Sequence, residues 1–228
     1  MEHAIAISGD LPKVDKVGVF EPGTPSIDPL KMLRIHGYKD MDKVRPVIRK
    51  TAEVISKRAA GVMTSIVYFR RVPITDCDSD GLKLANGLAF ENHAFAHYLS
   101  GAAEVVVVVI TVGKGLDDEV IGCMDEFEPL EALFLETAGW LGIEWATRSF
   151  VNHLSELVGP EGLRPGQRMG PGYSYKVDGA LEMWSLEDQR QLFEVFDGVD
   201  LPVRLLESCA MLPKMSRSGL YGLVKGNG

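Results

Sequence analysis

Two stretches organise this chain: Arg168-Met169-Gly170-Pro171-Gly172-Tyr173, and later Glu207-Ser208-Cys209-Ala210-Met211-Leu212-Pro213-Lys214-Met215-Ser216-Arg217-Ser218-Gly219-Leu220-Tyr221. In the first block, glycines on either side of Pro171 strip side-chain bulk from the backbone, so its N–H and C=O groups can approach a bound molecule closely. Arg168 offers a planar fork suited to a carboxylate, a task Lys does less well. Taken alone, Gly-Pro-Gly-Tyr is an ordinary turn. The second block lies across the last two expected strands, residues 203–211 and 218–224, joined through residues 213–216. Between the blocks, Ser185-Leu186-Glu187-Asp188 has the form of a capping box with Asp in place of Glu. It opens a helix to Phe196 that Asp197-Gly198 ends.

In this order, the blocks resemble the signature of the reactivation domain of cobalamin-dependent methionine synthase, the module that binds S-adenosylmethionine. That family's first block reads Arg-x-Ala-Pro-Gly-Tyr, and its second reads Glu-Ser-x-Ala-Met-x-Pro followed by Ser-x-Ser-Gly-x-Tyr. The resemblance runs from about Val105 to Val224 and is dense only in the two blocks. This chain departs from it at Met169, Gly170, Cys209 and Leu212, which stand for a proline, an alanine and two aromatics. The family's N-terminal aspartate that meets the ligand's ammonium has no matching position.

The resemblance implies that Arg168, Gly170, Pro171, Gly172, Tyr173 and Tyr221 occupy cofactor-contacting positions, and that Glu144 resembles a glutamate of the same site. The two tyrosines offer a sulfonium an aromatic face and a hydroxyl oxygen. Glu207, Ser208 and Ser218 are read as residues that hold the turn and strands in register. An α+β fold is expected, a twisted, mainly antiparallel sheet with packed helices. Residues 1–26 form an N-terminal arm, and 27–228 a single domain of this kind.

Outward from the blocks, Ala103 to Val112 is a run of β-branched residues without polar alternation, the pattern of a central strand buried on both faces. Residues 129–158 read as a long amphipathic helix stopped by Gly159-Pro160, with Gly139 and Gly142 marking close packing or a break. Asp117-Asp118 caps a short helix to Met124. Residues 159–175 read as a glycine- and proline-rich loop. Towards the N-terminus, Asp28 caps a helix from Pro29 to His36, and a second helix begins at Asp42. That second helix buries Val44, Val47, Ile48, Ile55 and Ala59. Residues 65–69 read as a strand, and residues 91–99 as a helix carrying His93 and His97. The arm holds at most one short edge strand, around Val17 to Phe20, and residues 225–228 are a fraying tail.

Three local patterns lead nowhere chemically. Asp76-Cys77-Asp78-Ser79-Asp80-Gly81 starts like a calcium loop, but the twelfth position is Gly87 where a bidentate Glu is required. His93 and His97 lack a third ligand. Thr111-Val112-Gly113-Lys114-Gly115 is neither a Walker A loop nor a dinucleotide fingerprint.

The formal charge of −8 argues against nucleic acid or an anionic membrane as partner, and 46% apolar with 25% charged residues is an ordinary globular composition. No signal-like segment opens the chain and no apolar run is long enough for a bilayer, so a cytoplasmic location is expected. Cys77, Cys123 and Cys209 are isolated, which excludes a disulfide framework and a Cys-x-x-Cys site.

The function that the resemblance implies is reductive remethylation of cob(II)alamin. The cobalamin is held by a partner, either a corrinoid protein or a methionine synthase, and an electron donor such as a flavodoxin supplies the electron. Nothing in the chain resembles a cobalamin-, folate- or homocysteine-binding module. The alternative is a non-catalytic partner of a corrinoid methyltransferase system that no longer binds S-adenosylmethionine productively.

Overall fold

In the computed structural model, residues 6–7 and 16–226 are described. The first elements are β1 (Ala6–Ile7), β2 (Val17–Gly23), α1 (Pro29–Ile35), α2 (Pro46–Val62), β3 (Ser65–Cys77), β4 (Leu82–Leu84), β5 (Ala89–Phe90), α3 (Ala94–Tyr98) and β6 (Glu104–Thr111). Then follow α4 (Gly115–Asp125), α5 (Pro129–Val158), β7 (Leu163–Met169), β8 (Ser174–Val177), β9 (Ala180–Met183), α6 (Gln189–Glu194), β10 (Arg204–Leu205), β11 (Met211–Leu212) and β12 (Ser216–Lys225).

The main sheet runs β1-β2-β3-β6-β12-β7, with β4 and β5 attached beside the far end of β3. Every neighbour pair is antiparallel except β1 with β2. This is the α+β architecture expected. β6 lies between β3 and β12, and its valines alternate between two cores. Val106, Val108 and Ile110 face α2, α4 and α5 together with Phe69 and Tyr221. Val105, Val107 and Val109 face a second layer that includes Phe95, Trp184 and Leu192. A strand covered on both faces needs no polar alternation, which explains its composition.

The thirty-residue α5 runs from Pro129 to Val158, as its periodicity predicts. Its two glycines admit neighbours. A Cβ on Gly139 would lie 2.3 Å from Leu116 Cδ2 and 2.7 Å from Met215 Cγ, and one on Gly142 would lie 2.5 Å from Met63 Sδ.

Several local expectations are corrected. The second helix starts at Pro46, not Asp42, because proline is pre-set for the first helical position; residues 41–43 form a separate 3-10 turn. Val47 then faces solvent at 61% exposure. The loop expected over residues 159–175 contains an edge strand, β7, which accepts Pro165 and Gly166 because only one of its edges is paired. The strand expected over 203–211 is a hairpin, β10 with β11, turned at Cys209 in the left-handed region (φ 62°). The capping box does not close. Ser185 Oγ accepts from Glu187 N, while the Asp188 carboxylate is drawn instead to Trp184 Nε1 at 2.8 Å. The helix it opens is only α6, and the hairpin β8–β9 before it was not expected.

The helix over 91–99 shrinks to α3, the short helix capped at Asp117 begins two residues earlier at Gly115, and the strand over 65–69 extends through Cys77. The described part of the arm forms two strands rather than at most one edge strand: β2, a seven-residue strand paired with β3, and β1, which pairs with the other side of β2. Expectations for residues 1–5, 8–15 and 227–228 lie outside the described residues.

Candidate functional site

The ladder between β7 and β12 brings the two blocks together. Tyr221 pairs with Arg168 and Leu220 with Met169, and Gly219 lets the strands approach: a Cβ there would lie 2.2 Å from Met169 O. Beyond β7 the chain turns through residues 170–173. Pro171 and Gly172 (φ 82°) take the two central positions, the residue order that a type II turn requires.

Two residues outside the blocks hold this turn. The Tyr175 hydroxyl accepts from Gly170 N at 2.6 Å and donates to Gly170 O at 3.1 Å. Gly172 N donates to Trp184 O at 2.8 Å, and Trp184 N donates to Tyr173 O at 3.0 Å. Burial pushes the Tyr175 phenol up, so it stays a neutral donor.

Opposite the turn stands the second block. Gln189, 3% exposed on α6, accepts from Ser218 Oγ at 2.8 Å and donates to Cys209 O at 2.7 Å. One amide thus joins α6, β12 and the β10–β11 turn. Between the two sides lies an open groove of about 300 Å³. Pro171, Gly172 and Tyr173 line one side, Leu186 and Gln189 sit on another, and residues 209–211 and 216–218 complete it.

Of the residues expected at the site, Pro171, Gly172 and Tyr173 line this groove directly. Arg168 stands beside it. Its guanidinium donates to Ser218 O at 2.7 Å and lies 4.9 Å from the centre of the Tyr173 ring, which leaves further N–H groups uncommitted. Gly170 is buried under the turn, where a Cβ would meet Arg168 Nη1 at 2.7 Å. Tyr221 points towards α5, is 2% exposed, and its hydroxyl has no partner. Glu144 reaches from α5 to the Arg217 guanidinium, which also donates to Thr147 Oγ1 at 3.1 Å. Arg217 lines the groove, so Glu144 is linked to it through an ion pair. Glu207 and Ser208 lie in the β10–β11 turn, where Ser208 Oγ accepts from Ala210 N.

Sequence reasoning missed Tyr175, Trp184, Gln189 and Arg217. A period of two in Tyr175 and Val177 hinted at a strand, but nothing in the spacing told that a glutamine on a short helix would be buried.

Among the described residues no group of three or more His, Cys, Asp or Glu could hold a metal, and no helix is long and apolar enough to cross a membrane.

Neither the family models nor the curated protein sequences give a match to this chain. Among solved structures it is similar to the MetH reactivation domain crystallised with AdoHcy, with a TM-score of 0.62 and 15% sequence identity. The alignment covers 93% of this chain and 79% of that one. The two chains share a fold. Within that fold, this chain gathers its two sequence blocks around one groove.

Proposed function

We propose that the groove binds S-adenosylmethionine and its product S-adenosylhomocysteine, and that the chain supports reductive remethylation of a corrinoid held by a separate protein. One observation carries the reading: the two blocks face each other across a single groove, in a fold shared with a domain crystallised with AdoHcy.

The lining suits such a ligand. The uncommitted N–H groups of Arg168 fit a carboxylate, and half-exposed Tyr173 offers a cation a ring face. Gly172 leaves the turn open on the groove side, where Leu186 is its nearest neighbour. Bound there, S-adenosylmethionine supplies an electrophilic methyl group for the partner's cobalt, after a reductant such as a flavodoxin has supplied one electron. The chain's own residues fix the ligand's orientation through Arg168 and the turn backbone. The turn is rigid because Tyr175 and Trp184 hold it.

A second reading has its own support. Glu144 is already neutralised by Arg217, so a ligand that needed this carboxylate would have to break an ion pair. On that reading the chain is a non-catalytic partner in a corrinoid system.

Isothermal titration of S-adenosylmethionine into wild type and Arg168→Ala separates the two. Micromolar binding that the substitution weakens at least ten-fold, about 1.4 kcal/mol, establishes the site. Absence of heat at millimolar ligand sinks it and leaves the scaffold reading.

A further inference from the structure

The strongest departure from local rules lies away from the groove, where α4 ends. The hydrogen bonds there form a Schellman cap. Phe127 N donates to Met124 O at 3.2 Å, and Glu128 N donates to Cys123 O at 2.8 Å. The residue after the cap must adopt a left-handed backbone, and glycine is the usual choice because it has no Cβ to clash. Here the residue is Phe127, at φ 58° and 91% exposed.

By spacing, Phe127 continues the inward stripe of Leu116, Val120 and Cys123. The left-handed turn throws its ring outward instead. A bulky aromatic at a strained position, with no packing in return, is a local cost that the folded chain alone does not offset.

Its neighbours are exposed in the same way. Ile121 is 58% and Met124 57% exposed on the preceding turns of α4. Ile121 also walls a groove of about 410 Å³ whose other sides include Leu201, Pro202, Leu212 and Pro213. None of Ile121, Met124 and Phe127 lines the candidate ligand groove.

Charge says what covers this surface. Asp118 and Glu119 are matched by Lys114 and Arg58. Asp125, Glu126 and Glu131 lie close to Phe127 in sequence and have no ion pair among the described residues, while Glu128 shares the attraction of Arg58 with Glu119. An apolar stripe whose rim carries an excess of carboxylates selects an apolar segment flanked by Lys and Arg. The same rim opposes a second copy of this chain and an anionic membrane.

We infer that the outer face of α4, from Ile121 to Phe127, docks a basic amphipathic segment of a partner protein with Phe127 as its anchor. The inference stands apart from the ligand proposed for the groove.

The test uses the full chain and a fluorescent 18-residue peptide of Leu and Lys at helical spacing, with a Leu and Glu peptide as its counterpart. Wild type binds the basic peptide and not the acidic one. Phe127→Gly keeps every charge and relieves the strained backbone, so it melts no lower than wild type, yet it binds at least ten-fold more weakly. Ile121→Gln with Met124→Gln gives a similar loss. Equal affinity of wild type and both variants means attraction by charge alone and overturns the inference. So does absence of binding, or a dimer of this chain in sedimentation that Phe127→Gly abolishes.

Discussion

Tyr221 carries a buried polar group that the fold around it leaves unsatisfied. Its hydroxyl is buried without a partner, an arrangement that costs about 1–3 kcal/mol. Tyr221→Phe should therefore raise stability at neutral pH by about 1 kcal/mol in urea unfolding. Burial pushes this phenol up to about 12, against the opposing pull of Arg168 and Arg217. The folded-state value lies above the unfolded one near 10, so the stability involved is intact below about pH 10 and is lost as pH rises towards 12. The slope approaches about 1.4 kcal/mol per pH unit. Melting curves between pH 9 and 12 should show Tyr221→Phe gaining steadily on wild type; parallel curves would refute the assignment. Gly219 sits at φ 152°, with Met169 O where a Cβ would stand. Gly219→Ala is expected to cost about 1–3 kcal/mol by forcing β7 from β12, and to reduce ligand affinity with it.

At the scale of elements, α5 and the loop before β12 are coupled through Gly139. An alanine there gains about 1 kcal/mol of helix propensity but drives a Cβ into Leu116 and Met215 at about 1–3 kcal/mol. Gly139→Ala should melt lower than wild type and shift Met215 beside Ser216, so that a titration detects the change at the groove. A higher melting temperature would show that the contact is slack. The legibility of each element follows from where its information resides. α5 and β6 declared themselves because their patterns are long and their burial uniform. β7 and the β8–β9 hairpin did not. β7 is an edge strand that begins Leu163-Arg164-Pro165-Gly166-Gln167 and is held by a ladder to residues far along the chain, so its local sequence reads as a loop. The site was legible in the same measure. The Gly-Pro-Gly-Tyr turn announces its own geometry, whereas the contacts that fix it come from Tyr175 and Trp184, and those that fix the facing wall come from Gln189; a tertiary hydrogen bond leaves no periodic trace.

For the whole molecule, the sheet is a shared wall between two cores, and β6 contributes to both. Neither layer keeps its apolar surface covered without the other, so unfolding should be a single cooperative event. Trp184 reports the second core with 0% exposure, and far-ultraviolet circular dichroism reports mostly the helices of the first. With Trp140 and Trp145 replaced by Phe, denaturation midpoints from the two signals should coincide. Separate midpoints would mean that the layers are independent units.

One feature of the strand order bears on how such a chain is made. β12 sits between β6 and β7, both of which precede it in sequence. On a ribosome adding about 5–20 residues per second, β7 waits several seconds before β12 arrives, and the valine edge of β6 stays unpaired for longer. During that interval the nascent chain presents two open strands to any neighbour, a recognised route to aggregation. A transcript truncated just before Ser216 should therefore yield inclusion bodies or a chaperone-bound chain. The groove, whose far wall is residues 216–218, is assembled only when translation has passed it.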